Sequence, residues 1–141
     1  MIKSIYLKHK EIIKYIIFGI LTTIVNLITY YLLVLTVLNP NKPVELQITN
    51  IISWIISVTF AYITNRIYVF NSKNNKIKEL LTFYSSRLTT LFIDMMLMFI
   101  LVTKLNLNDK IIKIIVSIII IILNYIISKL FVFRKTKENL N

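Results

Sequence analysis

The chain has 141 residues, 57% of them hydrophobic, with one glycine, two prolines and no cysteine, and its mean hydropathy is +0.75. So little polar surface excludes a water-soluble domain of this size, and the lack of cysteine excludes disulfides, thiol chemistry and cysteine-based metal sites. A net charge of +11 comes from 17 Lys and Arg against 6 Asp and Glu, but the cations flank long apolar runs, which points to a membrane bordered by basic loops and not to nucleic acid.

A basic segment, residues 1–14, leads into a first apolar run at 15–38, "YIIFGILTTIVNLITYYLLVLTVL", which carries no formal charge. This run exceeds the apolar core of a signal peptide, about 7–15 residues, and lacks an A-x-A-like cleavage site, so it reads as an uncleaved first span. Within it Gly19, Thr22, Thr23, Asn26 and Tyr30 recur at intervals of three and four and share one helical face. The turn "NPNKPVE" (39–45) precedes a second span at 46–70, where Asn50, Ser53, Ser57, Ala61 and Asn65 form a ladder of small and polar residues that lets another helix approach.

The basic loop "NSKNNKIKE" (71–79) leads to a third span at 80–103, which contains Arg87, Thr90 and Asp94 on one face. After "KLNLNDK" (104–110) comes a fourth span at 111–133, with Ser117, Asn124 and Ser128 inside it and Lys129 near its end; residues 134–141 are a basic tail. Each apolar run is about 20 residues or more, enough at about 1.5 Å per residue for a hydrocarbon core of about 30 Å. Backbone groups in lipid must be satisfied internally, so these runs are helices in spite of their Ile and Val content.

The distribution of cations gives the orientation. Lys3, Lys8, Lys10, Lys14, Arg66, Lys73, Lys76, Lys78, Lys129, Arg134, Lys135 and Lys137 fall on one side, and Lys42, Lys104, Lys110 and Lys113 on the other. The first side is expected to be cytoplasmic, with both termini inside.

One phrase is written twice. "AYITNRIYVF" and "NYIISKLFVF", offset by 63 positions (133 − 70), share Tyr62/Tyr125, Ile63/Ile126, Arg66/Lys129, Val69/Val132 and Phe70/Phe133. Spans one and three also match at an offset of 68 (78 − 10), pairing Tyr15 with Phe83, Thr22 with Thr90 and Asn26 with Asp94. The expected architecture is an all-α membrane protein of four spans arranged as a parallel repeat of a two-helix unit, an arrangement known among transporters.

Most Ser, Thr and Asn positions in these stripes are expected to serve packing through interhelical hydrogen bonds, about 0.6 kcal/mol each. Asp94 and Arg87 differ, because a charge at the membrane centre costs about 2.5–3.5 kcal/mol. The seven residues between them amount to about 10 Å along one face, which suits two polar ends of a lined cavity. The alternative is that Asp94 is protonated, or bonded to Asn26, and only fixes packing. His9 has no metal-ligating neighbours in sequence, and the chain contains no Gly-rich phosphate loop and no G-x-S-x-G elbow. No enzymatic activity, cofactor or metal is expected.

The start "KYIIFGILTTIVNLITYYLL", the close "NRIYVF" of span two and the close "SKLFVF" of span four resemble the GtrA-like family of small four-span membrane proteins, from about Ile12 to Arg134. The family pattern has Asn-Phe-x-x-Asn-Arg before the aromatic-Val-Phe; here Ala61 and Tyr62 replace the first pair, and Ser128-Lys129 replaces the second Asn-Arg.

The resemblance implies work on cell-surface polysaccharides or teichoic acid in the cytoplasmic membrane. That work is either movement of polyprenyl-phosphate-linked sugars between leaflets or anchoring of a polyprenyl-phosphate glycosyltransferase. A sugar lipid needs a cationic place for phosphate, for which Arg66, Arg87 and Lys129 are candidates. It also needs a polar groove, for which Asn26, Asn65, Asp94 and Asn124 are candidates, with Tyr62 or Tyr125 packed against a sugar face. Membrane lipids, a membrane glycosyltransferase and a second copy of the chain are the expected partners. A small multidrug transporter also has four short spans, but such proteins use a carboxylate in the first span, where this chain has only Asn26.

Overall fold

The computed structural model describes residues 1–135, the side chains of Ile2 and Ile5 excepted; residues 136–141, Lys137 among them, lie outside the described residues. The described chain is helical almost throughout: α1 (Ile2–Thr36), α2 (Pro43–Thr64), α3 (Lys76–Met98) and α4 (Asp109–Ile127), with short π-helical turns at Asn65–Val69, Phe99–Lys104 and Ser128–Val132. Four stretches, Tyr6–Thr36, Pro43–Val69, Lys76–Lys104 and Asp109–Val132, are long and apolar enough to cross a membrane. The shortest has 24 residues, about 36 Å at about 1.5 Å per residue.

Local chemistry fixes the helix ends. Pro43 occupies the first turn of α2, where its missing N–H costs nothing. The Asn75 side chain accepts from the N–H groups of Ile77 and Lys78, and Asn108 does the same for Lys110 and Ile111, so α3 and α4 are both capped. Asn71 and Asn106 adopt φ of 46° and 51°, left-handed positions that asparagine tolerates better than most residues. At the other ends the hydrogen bonds widen to a five-residue spacing: Phe70 N–H to the Asn65 carbonyl at 2.9 Å, Leu105 to Ile100 at 3.0 Å and Phe133 to Ser128 at 2.8 Å. These are single π turns.

Helix α1 begins well before the apolar run. The segment from Ile2 to Lys14 contains neither Gly nor Pro, so nothing stops it from coiling, and the helix only breaks at His9, with φ −115° and ψ 17°.

The chain forms two compact units, Met1–Asn71 and Ser72–Asn141. Unit one is an antiparallel hairpin of α1 and α2. Tyr15 is buried against Phe70, with ring centroids 6.5 Å apart and planes at 60°, and Asn26 Nδ2 donates to Ser57 Oγ at 3.2 Å. The buried ladder on α2 runs through Thr49, Ser53, Ser57, Ala61 and Asn65. Asn50, expected on that face, is exposed; a four-residue step from Ser53 lands on Thr49, and Asn50 is rotated about 100° away.

Unit two is the hairpin of α3 and α4. Phe83, fully buried, packs on Phe133 at 5.8 Å and 56°. The Thr90 hydroxyl donates to Asn124 Oδ1 at 2.8 Å. Glu79 is buried and accepts from the Ser72 hydroxyl, and Asn74 Nδ2 donates to the Arg134 carbonyl at 2.7 Å. The two aromatic pairs occupy positions matched in the sequence comparison, Tyr15 with Phe83 and Phe70 with Phe133. Ile, Leu, Met and Phe cover most of the exposed helix surface, as suits contact with acyl chains.

Candidate functional site

The π turns closing α2 and α4 are built alike. In the first, Arg66 reaches back one turn and donates to the Tyr62 hydroxyl at 3.3 Å. In the second, Lys129 Nζ donates to the Tyr125 hydroxyl at 3.3 Å and lies 5.6 Å from the same ring's centroid. A cation held on a tyrosine is therefore present at both ends, with Arg in one and Lys in the other.

Each turn also opens on a buried polar residue. Asn65 is 3% exposed and spends its Nδ2 on the Ala61 carbonyl at 2.7 Å. Its Oδ1 has no hydrogen-bond partner among the described residues, and the same holds for Ser128 Oγ, on a residue 0% exposed. Burying such an oxygen without a partner costs about 1–3 kcal/mol.

The remaining candidates are engaged within their own hairpins. Asn26 is tied to Ser57, and Asn124 to Thr90. Arg87 lies over the Phe83 ring, 4.5 Å from its centroid. Asp94 takes the Lys113 ammonium on both carboxylate oxygens, each at 2.9 Å. Lys113 stands in the second turn of α4, not in the connecting loop, so its stem reaches along the helix to the acid. Between Arg87 and Asp94 the face is occupied by Thr90, buried against α4. Tyr62 is buried and Tyr125 half-buried, so of the two rings Tyr125 offers more face to a ligand.

Unit one holds a further feature that the spacing of polar residues does not reveal. Where α1 breaks at His9, it forms with the end of α2 an open recess of about 590 Å³, whose lining includes Lys8, Lys10, Glu11, Lys14, Tyr68 and Asn71. Lys14 Nζ donates to the Tyr68 carbonyl at 3.0 Å, and the Tyr68 ring stacks on Phe18 at 5.2 Å and 14°. The sequence signal for it is the run "LKHKEIIK", which reads as a topology marker until the hairpin folds it against Tyr68.

The profile of the GtrA/DPMS transmembrane domain matches residues 14–133, nearly the whole described chain. The chain belongs to the GtrA family. Its similarity to individual proteins covers about nine tenths of the chain. It is 44% identical to the uncharacterized membrane protein YwcD of Bacillus subtilis over 128 residues, 88% of this chain and 97% of that protein. It is 36% identical to the cell wall teichoic acid glycosylation protein GtcA of Listeria innocua over 131 residues, and 35% identical to the protein of that name from Listeria monocytogenes over the same length. Each of those alignments covers 90% of this chain and 87% of the relative. With four apolar helices of spanning length, this GtrA-family chain is a multi-pass membrane protein.

Proposed function

We propose that this protein serves cell wall glycosylation by carrying polyprenyl-phosphate-linked sugars across the cytoplasmic membrane, with both termini on the cytoplasmic side. The observation that carries this reading is the chemistry repeated at the two π turns: a cation on a tyrosine beside a buried oxygen that lacks a partner among the described residues. Each unit offers its own contacts: in unit one a phosphate is drawn to Arg66 and a sugar hydroxyl satisfies Asn65 Oδ1, and in unit two a phosphate is drawn to Lys129, with Arg87 as a further cation, and a sugar hydroxyl satisfies Ser128 Oγ while Tyr125 packs against the ring. Asn26, Asn124 and Asp94 act by holding their hairpins together, and no bond is made or broken. The names of the Listeria relatives support the pathway assignment.

Reconstitution of the pure protein in vesicles, with a fluorescent polyprenyl-phosphate sugar and a membrane-impermeant quencher, tests this. Protein-dependent exposure of the inner-leaflet pool is expected. No exposure by the pure protein, together with loss of wall glycosylation on gene deletion, supports the second reading, an accessory subunit of a polyprenyl-phosphate glycosyltransferase. The engagement of Asn26, Asn124 and Asp94 inside each hairpin favours that alternative, since it removes polar groups from a transport path.

A further inference from the structure

The recess at the break in α1 takes Tyr68 from the first π turn, but its lining contains none of Tyr62, Asn65 and Arg66, whose chemistry is described above. Its charged lining is three lysines, Lys8, Lys10 and Lys14, and one acid, Glu11, a net of +2 (3 − 1). The backbone break at His9 separates Lys8 from Lys10, so the two lysines are not held to one regular helical register. Lys14 is fixed by its bond to the Tyr68 carbonyl, and Tyr68, which lines the recess from the other helix, is itself held by stacking on Phe18.

From Lys10 and Lys14 the same face of α1 continues at steps of three and four residues through Ile17, Leu21, Ile24 and Ile28, all exposed. A concentrated positive site therefore runs into an uncovered aliphatic stripe. The complementary ligand has a small anionic head of charge near −2 and a long apolar tail. A phosphate monoester carries about −1.5 to −2 at pH 7 and has oxygens enough for several ammonium groups, whereas the phosphodiester of an ordinary anionic lipid carries a single charge.

We propose that this recess binds a phosphate monoester and that its ligand is lipid-borne. The proposal takes from the transport reading only the polyprenyl tail: the sugar-linked lipid is a phosphodiester of single charge, so the recess holds the sugar-free carrier phosphate, and its test is binding alone. Full-length protein in zwitterionic nanodiscs is titrated with a fluorescent polyprenyl monophosphate, in competition with phosphatidylglycerol and with inorganic phosphate. Saturable binding is expected that phosphatidylglycerol displaces poorly and inorganic phosphate displaces only at far higher concentration. The triple variant Lys8→Gln, Lys10→Gln, Lys14→Gln is expected to weaken binding about tenfold or more, and Glu11→Gln to tighten it a few-fold, an effect that misfolding cannot produce.

Unchanged binding by the triple variant overturns the proposal, as does equal displacement by phosphatidylglycerol, which marks general attraction to anionic surfaces. Displacement by inorganic phosphate at the same concentration as the lipid overturns the role of the aliphatic stripe. Vesicle transport is scored separately, so failed transport with intact binding sinks the transport reading alone, and intact transport without binding sinks this one alone.

Discussion

Asp94 of α3 and Lys113 of α4 form a two-pronged ion pair, each carboxylate oxygen 2.9 Å from the ammonium. The acid is 20% exposed and the lysine 51%, and both stand on helices that otherwise show mostly aliphatic surface. Two lone charges there are each costly; joined, they neutralise one another and fasten the hairpin.

Removing one partner is therefore worse than removing both. Asp94→Asn alone is expected to destabilise unit two by about 2–3 kcal/mol, because Lys113 keeps its charge without a partner. Asp94→Asn with Lys113→Gln is expected to recover most of the loss and to restore wall glycosylation. Thermal unfolding in detergent and lectin staining of cells check the two halves. A double variant that folds well but leaves walls unglycosylated transfers Asp94 from a structural to a functional role.

The π turns separate stability from function in the opposite sense. Ser128→Ala deletes a buried hydroxyl that has no partner among the described residues, so it is expected to leave stability unchanged or raise it by up to about 1 kcal/mol. Wall glycosylation is nevertheless expected to fall several-fold, since the sugar loses a contact. Undiminished glycosylation shows that the oxygen contributes nothing to the ligand.

The paired cations give a comparison of residue types. Arg66→Ala and Lys129→Ala are each expected to reduce sugar transfer about tenfold, about 1.4 kcal/mol, while Lys129→Arg retains or improves it because a guanidinium grips two phosphate oxygens. Transfer rates measured in vesicles distinguish these outcomes. Equal loss in Lys129→Arg and Lys129→Ala means that shape, not charge, matters at that turn.

Topology is open to direct measurement because the chain has no cysteine. Single cysteines at Ser4 and Lys135 are expected to be shielded from an impermeant thiol reagent in intact cells, and one at Asn41 to react. Labelling of Ser4 and Lys135 on opposite sides refutes the parallel repeat.

The spans were legible because hydropathy alone decides what can lie in lipid, and the likeness of the two closes was visible as a fixed offset. What the offset did not disclose is that Tyr15 and Phe83 meet Phe70 and Phe133: matching of each strip separately says nothing of contact between strips. The Asp94 partner was hidden for a related reason. Lys113 follows the loop by only a few residues and counts as an outer cation in a charge tally, and only the hairpin geometry turns its flexible stem toward the acid. Asn50 stands one position beyond the buried Thr49, which rotates a helical residue about 100° from its neighbour and takes it off the expected ladder. No residue type marks a π turn, so the wide hydrogen bonds from Phe70 and Phe133 had no sequence signature.

Those wide turns have a genetic corollary. Each holds one residue more than an α-helical turn needs, so deleting a single residue between Ser128 and Val132 lets the segment relax to ordinary α geometry and swings everything beyond it through about 100°. Phe133 then leaves the Phe83 ring, although composition and hydropathy scarcely change. The surplus residue acts as a spacer that aims the aromatic close, which makes this turn tolerant of replacement at its exposed Leu130 and Phe131 and intolerant of a change in length.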